Sequence, residues 1–122
     1  MAIFGYLYLK NGVVNGKEIV SEKWVKESTA QYMVFDNVNK YVDGFFSYGY
    51  QWWRFTDYFF DRLWQGTPPA VNDIYNANGL GGQFITVIPH LNMVYVSTAW
   101  NPEKPWLRGL LFNACLSAVK EK

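Results

Sequence analysis

The sequence is poor in the side chains that cross-links and metal sites need. Its 122 residues include one cysteine and one histidine. A disulfide requires two cysteines, so an internally cross-linked scaffold is excluded, and no metal-ligand motif is present. Cys115 lies in an apolar helical pattern, which favours a buried structural thiol over a nucleophile. We therefore expect no bound metal.

Charge is also scarce. Asp, Glu, Lys and Arg make up 17% of the chain and leave a formal net charge of +1. This balance gives no basic footprint for nucleic acid. No apolar run approaches the roughly 20 residues that a membrane-spanning helix requires. The sequence therefore predicts neither nucleic-acid binding nor a membrane span.

Hydrophobic and aromatic residues are abundant instead. They make up 50% and 20% of the chain, respectively, which excludes intrinsic disorder. The length fits one domain, residues 1–122. The apolar start lacks a basic n-region and a small-residue cleavage site, so the chain as written is expected to be cytoplasmic. If it is a fragment of a longer precursor, a periplasmic or extracellular location would follow.

Two helices are predicted near the start of the chain. Apolar residues at helical spacing over residues 3–8 predict the first, and Asn11-Gly12 ends it because both residues tolerate left-handed backbone. Ser21 is a suitable N-cap for the second. We expect Trp24 and Val25 of that helix to face the core.

Strand patterns dominate the rest of the chain. An Asn-Gly pair within Val13–Val20 predicts a hairpin. Further strands are predicted at Tyr48–Phe55, Tyr58–Trp64, Gln83–Ile88 and Met93–Trp100. Segments Thr29–Ser47 and Gly66–Asn78 are predicted to be loops. His90 falls in the turn of the last hairpin, where we expect a solvated side chain.

A terminal helix completes the prediction. Asn101 is its expected cap. Its apolar stripe is predicted to comprise Leu107, Leu110, Leu111, Ala114 and Ala118. Helices combined with an antiparallel sheet place the chain in the α+β class.

Three glycines cluster at the start of a predicted strand, within Gly79–Gln83. Glycine weakens a strand unless the backbone must bend or approach another group closely. One interpretation is a tight bend packed under a neighbouring aromatic ring. The other is the edge of a cleft that admits a ligand. The spacing does not match a dinucleotide-binding loop.

Four blocks occur in the order Phe4–Val25, Tyr48–Trp53, Gly79–Pro89 and Met93–Val96. Together they resemble the C-terminal part of β-lactamase-related serine hydrolases, the penicillin-binding-protein-like enzymes of the class C type. The resemblance implies the C-terminal portion of the β-lactamase/transpeptidase-like fold. The span from about Phe55 to Tyr75 looks like an insertion.

The family's catalysis rests on three motifs, and the resemblance places two of them upstream of this region. These are Ser-x-x-Lys, which supplies the nucleophile and its base, and a Tyr-x-Asn element. No Tyr-x-Asn occurs in the sequence. Ser117–Lys120 fits Ser-x-x-Lys, but it lies in the final turns of the last predicted helix. We therefore expect no catalytic residue in this chain. The resemblance also implies no cofactor, since the serine chemistry of that family needs none.

The third family motif is Lys-Thr-Gly or His-x-Gly, and the resemblance aligns it with Leu80-Gly81-Gly82. An apolar Leu80 cannot bind a substrate carboxylate by charge. The residues predicted to line a substrate cleft are Leu80, Gly81, Gly82, Gln83, Tyr50 and Trp52.

Three functions are compatible with this sequence. The first is a C-terminal segment of a serine β-lactamase-like hydrolase that is inactive alone. The alternative is a free-standing protein on the same scaffold, from a split gene or mobile cassette, which self-associates and binds a ligand or partner. The third is an enzyme with a site that the sequence does not reveal. A homodimer is expected because missing neighbouring elements would leave a sheet edge and apolar surface uncovered.

Overall fold

The computed structural model describes residues 1–34, 46–55, 73–98 and 106–119. Helices lie on both faces of an antiparallel sheet, which confirms the predicted α+β class. In chain order the elements are α1 (Ala2–Leu9), β1 (Val13–Val14), β2 (Lys17–Glu18), α2 (Glu22–Ser28), β3 (Met33–Val34), β4 (Phe46–Tyr48), β5 (Trp53–Phe55), β6 (Tyr75–Gly79), β7 (Gln83–Ile88), a 3-10 turn (Pro89–Leu91), β8 (Met93–Ser97) and α3 (Trp106–Ser117).

The main sheet follows chain order. Strands β3 to β8 form a six-stranded antiparallel sheet, while β1 and β2 pair as a separate hairpin. In an antiparallel sheet of this order, successive connections alternate between the two ends. The β4–β5 and β6–β7 turns therefore lie at one end, and the end of β5, the start of β6 and the β7–β8 connection lie at the other.

Helix α1 packs on one face of the sheet over β7 and β8. Gly5 permits this close approach. An added Cβ there would lie 2.5 Å from Val94 Cγ1 and 2.8 Å from Ile85 Cγ2. The helix ends as predicted at Asn11-Gly12, where both residues have positive φ.

Aromatic rings join this helix to the sheet. The buried cluster on the α1 face consists of Tyr8, Val25, Trp52, Tyr75 and Val87. The ring of Trp52 lies 4.6 Å from that of Tyr8 and meets Tyr75 edge-on at 5.1 Å. Such pairs contribute about 0.5–1.5 kcal/mol each beyond the area that they bury.

A second core lies on the opposite face, beneath α3. Ile74, Ile88 and Phe112 are fully buried there. The ring of Tyr95 meets Phe112 at 5.3 Å in an edge-to-face arrangement. Strand β7 is thus covered on both faces, which agrees with the continuous burial of Phe84–Ile88.

Helix α2 has the predicted cap but not the predicted orientation. The Ser21 hydroxyl accepts a hydrogen bond from the backbone N–H of Trp24 at 3.1 Å. Val25 is buried as expected, but the prediction for Trp24 is wrong because its side chain is 45% exposed. The ring packs beside Tyr50 instead, at 5.7 Å.

The strand predicted at Tyr48–Phe55 is divided in two. Its beginning belongs to β4 and its end to β5, with a tight turn between them. The turn is closed by a 2.8 Å hydrogen bond from the N–H of Gly49 to the carbonyl of Trp52. Gln51 takes a left-handed φ of 69°. This turn interrupts an aromatic run whose β-propensity suggested a continuous strand.

Both predicted loops contain strand residues. Strand β6 lies at the end of Gly66–Asn78 and pairs with both β5 and β7. The backbone hydrogen bonds on both sides stabilise a strand here despite the low β-propensity of its asparagines. Strand β3 and the start of β4 fall within Thr29–Ser47. Strand β8 begins as predicted and ends at Ser97. The strand predicted at Tyr58–Trp64 and the cap at Asn101 lie outside the described residues.

The buried side of α3 differs from the predicted apolar stripe. Leu110 and Leu111 are 49% and 48% exposed, whereas Phe112 is completely buried. Leu116 packs against the same core. Phe112 therefore decides which side of the helix meets the sheet, and the half-buried Cys115 lies beside it.

The tight contact at Gly5 gives a stability prediction. Gly5→Leu should lower the free energy of unfolding by about 1–3 kcal/mol, because added side-chain atoms would overlap the methyl groups of Val94 and Ile85. Ala2→Leu is the matched control on the exposed side of α1, with an expected change within about 0.5 kcal/mol. Urea unfolding of both variants measures the difference. Equal stabilities would show that α1 does not pack as closely as described.

Candidate substrate-binding edge

One end of the main sheet brings together most of the residues predicted to line a cleft. The β4–β5 turn carries Tyr50 and Trp52, and the β6–β7 turn carries Leu80, Gly81 and Gly82. The register Trp53↔Asn76 between β5 and β6 aligns these two turns. The predicted residues are therefore neighbours at this end of the sheet, which we call the candidate edge, although they lie about 30 positions apart in the sequence.

The position of Tyr50 is set by its backbone. Its N–H donates a 2.8 Å hydrogen bond to the carbonyl of Ser28 at the end of α2. The preceding Gly49 lies directly against the carbonyl oxygens of Ser28 and Ala30, so a Cβ would collide with backbone at that position. The Tyr48 hydroxyl donates to Gln51 Oε1 at 3.2 Å and supports the turn. These contacts hold the Tyr50 ring at the surface.

Tyr50 is the centre of an exposed aromatic cluster. Its ring stacks on Tyr32 with 4.9 Å between centroids and 9° between planes. Trp24 packs against it from α2. Each of these three rings is exposed, and Met33 beside Tyr32 is exposed as well. We call the rings of Trp24, Tyr32 and Tyr50, together with the adjoining Met33, the aromatic cluster.

A shallow groove adjoins this cluster along α2. Its volume is about 700 Å³. Its lining residues are Glu22, Lys23, Lys26, Glu27 and Tyr32. Lys26 and Glu22 form an ion pair at 2.7 Å on its wall. The loss of surrounding water, together with the neighbouring Tyr50 hydroxyl, raises the pKa of Tyr32. The groove thus combines balanced charges with one neutral phenol.

The β6–β7 turn presents an apolar side chain to solvent. Leu80 is 85% exposed. Gly81 and Gly82 have φ values of 78° and 103°, in the region that favours glycine. Gln83 begins β7, is half-buried and pairs with Gly79. The glycines therefore shape a turn that brings β6 directly into β7.

Trp52 occupies a different environment from Tyr50. Its side chain is 3% exposed and belongs to the core between α1 and the sheet. It supports the β4–β5 turn from beneath. Its role as a cleft residue remains a prediction, whereas Tyr50 and Leu80 are directly accessible.

A half-buried cation adjoins this core. Arg54 lies beside Tyr75 in the β5–β6 register and donates from Nη1 to the carbonyl of Thr29 at 3.1 Å. Burial lowers the pKa of Arg54, while Asp73 and Tyr75 act in the opposite direction. Burial also raises the pKa of Tyr75, partly offset by Arg54. These groups tie β5 to the end of α2.

A histidine–aspartate pair lies at the other end of the sheet. His90 Nδ1 is 2.7 Å from Asp73 Oδ1, and the backbone N–H of His90 donates to Asp73 Oδ2 at 2.8 Å. Asp73 thus holds His90 in place through two contacts at the protein surface. The pair joins the β7–β8 connection to the residue before β6. It lies away from the edge that carries Tyr50 and Leu80.

Ser117 has a local structural role. Its hydroxyl donates to the carbonyl of Ala114 at 2.9 Å, one turn earlier in α3. Among residues 1–34, 46–55, 73–98 and 106–119, no three His, Cys, Asp or Glu side chains converge as metal ligands. Within those same ranges, no helix has the length and apolar character to cross a membrane.

Comparison with solved structures identifies the fold. The chain is similar to the crystal structure of a novel penicillin-binding protein homolog from Caulobacter crescentus, with 15% sequence identity and a TM-score of 0.55. The match covers 94% of this chain but only 30% of that one. No family model matches the sequence, and no curated protein matches it. The chain therefore has a penicillin-binding-protein-like fold over part of that protein's length.

Sequence reasoning missed part of this edge. Tyr32 and Met33 lie in a segment without clear periodicity, and Trp24 was expected to be buried. A signal was nevertheless present in Gly49-Tyr50, because a glycine before an aromatic residue can mark a close backbone approach. Its partner, the end of α2, could be identified only from the folded chain.

The two glycines of the β6–β7 turn give a second prediction. Gly82→Val should lower the free energy of unfolding by about 1–3 kcal/mol, because a β-branched residue is strained at positive φ. Leu80→Ala should change it by less than about 0.5 kcal/mol, since the side chain is exposed. Thermal melts compare the two variants. A neutral Gly82→Val combined with a damaging Leu80→Ala would place Leu80 in the core and contradict the accessible edge.

Proposed function

We propose that this chain is the C-terminal segment of a serine β-lactamase-like hydrolase and is catalytically inactive alone. The observation that carries the proposal is the match to 94% of this chain but 30% of a penicillin-binding protein homolog. A segment of that size retains a sheet and its supporting helices. The remaining parts of a serine hydrolase would then have to supply the nucleophile.

The chemistry of the polar residues supports inactivity. Acyl transfer by a serine needs a base within hydrogen-bond distance of its hydroxyl. Ser117 instead donates to a helix carbonyl. His90 is paired with Asp73, at the opposite end of the sheet from the proposed edge. The edge offers binding surface, and we assign it no role in proton transfer.

The proposed edge favours the uncharged part of a substrate. Leu80 and the ring of Tyr50 are accessible on neighbouring turns. Neither carries a charge that could pair with a carboxylate. In a complete hydrolase, we propose that this edge contacts an apolar or ring-bearing portion of the substrate near the reacting bond.

A second candidate is a free-standing binding protein on the same scaffold. The exposed aromatic cluster and its adjoining groove favour this alternative. In that case the chain would self-associate as a homodimer and bind a small molecule or partner without turnover. Both candidates share the prediction that the isolated chain does not catalyse hydrolysis.

Hydrolysis assays test the proposed inactivity. The purified chain should not cleave a chromogenic β-lactam or a short-chain nitrophenyl ester above the buffer rate, because the Ser117 hydroxyl donates to a helix carbonyl and the family's other catalytic motifs lie upstream. Ser117→Ala is the matched variant and should give the same background. Turnover by the wild-type chain that disappears in Ser117→Ala would overturn the proposal and identify Ser117 as a nucleophile.

A further inference from the structure

The sequence contains three Asn-Gly pairs, which begin at Asn11, Asn15 and Asn78. Such a pair has a chemical reactivity besides its preference for turns. The backbone nitrogen that follows an asparagine can attack the side-chain amide carbon, and glycine obstructs this attack least because it has no Cβ. All three pairs share this local chemistry, so the folded structure decides which of them can react.

Asn15 and Gly16 form the two-residue turn between β1 and β2. Both residues are exposed, and a Cβ added to Gly16 would meet nothing within 4 Å. Across the part of the chain that the structure describes, the Gly16 N–H has no hydrogen-bond acceptor and the Asn15 amide has no partner. The attacking nitrogen and the carbon that it must reach are therefore both open to solvent.

The strands that flank this turn are short. Strands β1 and β2 contain two residues each and form a sheet of their own, separate from the six-stranded sheet. A lone two-stranded hairpin is only marginally stable, so this turn can open without disturbing the core. The attack needs such an opening, because Asn15 must leave its left-handed backbone conformation to bring the next nitrogen to its side chain.

The glycine after Asn11 is held much more firmly. The N–H of Gly12 donates to the carbonyl of Leu7 at 2.8 Å. Its carbonyl accepts from the N–H groups of Ile19 at 2.9 Å and Val20 at 3.2 Å. Gly12 is buried directly against the backbone of Val20. Its nitrogen could attack only after the end of α1 separates from the base of the hairpin.

The pair at Asn78 belongs to the main sheet. Asn78 and Gly79 close strand β6 and pair with Phe84 and Gln83 of β7. Their side is exposed, but the ladder fixes their backbone in an extended conformation. Rotation of Asn78 toward the reacting geometry would break this pairing. Exposure alone therefore does not make this pair reactive.

We propose that Asn15 is a site of spontaneous deamidation in the folded protein. The Gly16 nitrogen loses its proton to solvent and bonds to Cγ of Asn15, which closes a succinimide ring, and the side-chain nitrogen takes up a proton and leaves as ammonia. Water then adds to either ring carbonyl and breaks its bond to the ring nitrogen, which gives aspartate or isoaspartate. Each product carries a new carboxylate, so the formal net charge falls from +1 to zero.

The modification changes the hairpin and spares its surroundings. Isoaspartate carries the main chain through its β-carbon and lengthens the turn, whereas the register Val14↔Lys17 requires a two-residue turn. The contacts of the Gly12 carbonyl still close the base of the hairpin. Helix α2 and the aromatic cluster should therefore keep their positions. This reaction is independent of the proposed function.

Mass spectrometry of the aged protein provides the test. The purified chain is incubated at mildly alkaline pH and digested, and fragmentation of the peptides locates each change from amide to acid. Asn15 should convert at least about tenfold faster than Asn11 or Asn78, because protected segments react only from an open state. In concentrated urea the three rates should become similar, since the protection by the fold is then lost.

Two aspartate variants form a matched pair. Asn15→Asp and Asn11→Asp both keep a residue that tolerates left-handed backbone, and neither can release ammonia at the changed position. The first should abolish most of the early mass gain of the native protein, and the second should leave it unchanged. Circular dichroism of each variant establishes that its fold is retained.

Three results would overturn the proposal. One is conversion of Asn11 or Asn78 in the folded chain at a rate equal to that of Asn15. Another is an Asn15 that converts in urea but stays intact in the folded chain. The last is an early mass gain that persists in Asn15→Asp, because the ammonia would then come from another side chain.

Discussion

The backbone pairing of β6 on both sides holds the main sheet together. This strand pairs with β5 through Trp53↔Asn76 and with β7 along its whole length. Without it, β3–β5 and β7–β8 would be separate sheets. The same pairing aligns the turns that carry Tyr50 and Leu80, so the candidate edge exists only because β6 lies between its two halves.

Side-chain packing turns this sheet into a scaffold with distinct surfaces. Tyr8 and Trp52 fasten α1 to one face, while Phe112 fastens α3 to the other. Helix α1 consequently has two apolar sides with different environments. The side with Tyr8 is buried in the core, and the side with Ile3 is left exposed. An exposed apolar helix side of this kind is typical of a surface that another protein element covers.

Local signals predicted the elements that depend on nearby residues. The Ser21 cap and the Asn15-Gly16 hairpin require only a few neighbouring positions, and both are confirmed. Strand β6 was missed because its asparagines oppose strand formation locally, and only distant partners supply its pairing. The buried side of α3 was also misjudged, because several apolar residues compete and the packing of Phe112 against Ile74 and Ile88 decides among them.

The features of the candidate site likewise divide into those set by local sequence and those set by tertiary packing. The clustering of glycines within Gly79–Gln83 was visible in the sequence, and so was the resemblance that singled out Tyr50 and Leu80. The burial of Trp52 and the exposure of Trp24 were not visible in the sequence, because both depend on how α1 and α2 pack against the sheet. Aromatic residues serve equally well as core and as surface, so composition alone could not assign them.

Asn76 has a consequence for engineering this scaffold. Its side chain is completely buried in the central strand, and neither Nδ2 nor Oδ1 finds a partner among the described residues. Thr86, its neighbour across the β6–β7 pair, likewise has an unpartnered hydroxyl. Desolvated polar atoms of this kind subtract from the stability that the surrounding rings provide. The middle of the sheet is therefore where a more robust version of this protein should be sought, by exchanging the amide and hydroxyl for hydrocarbon groups of similar shape.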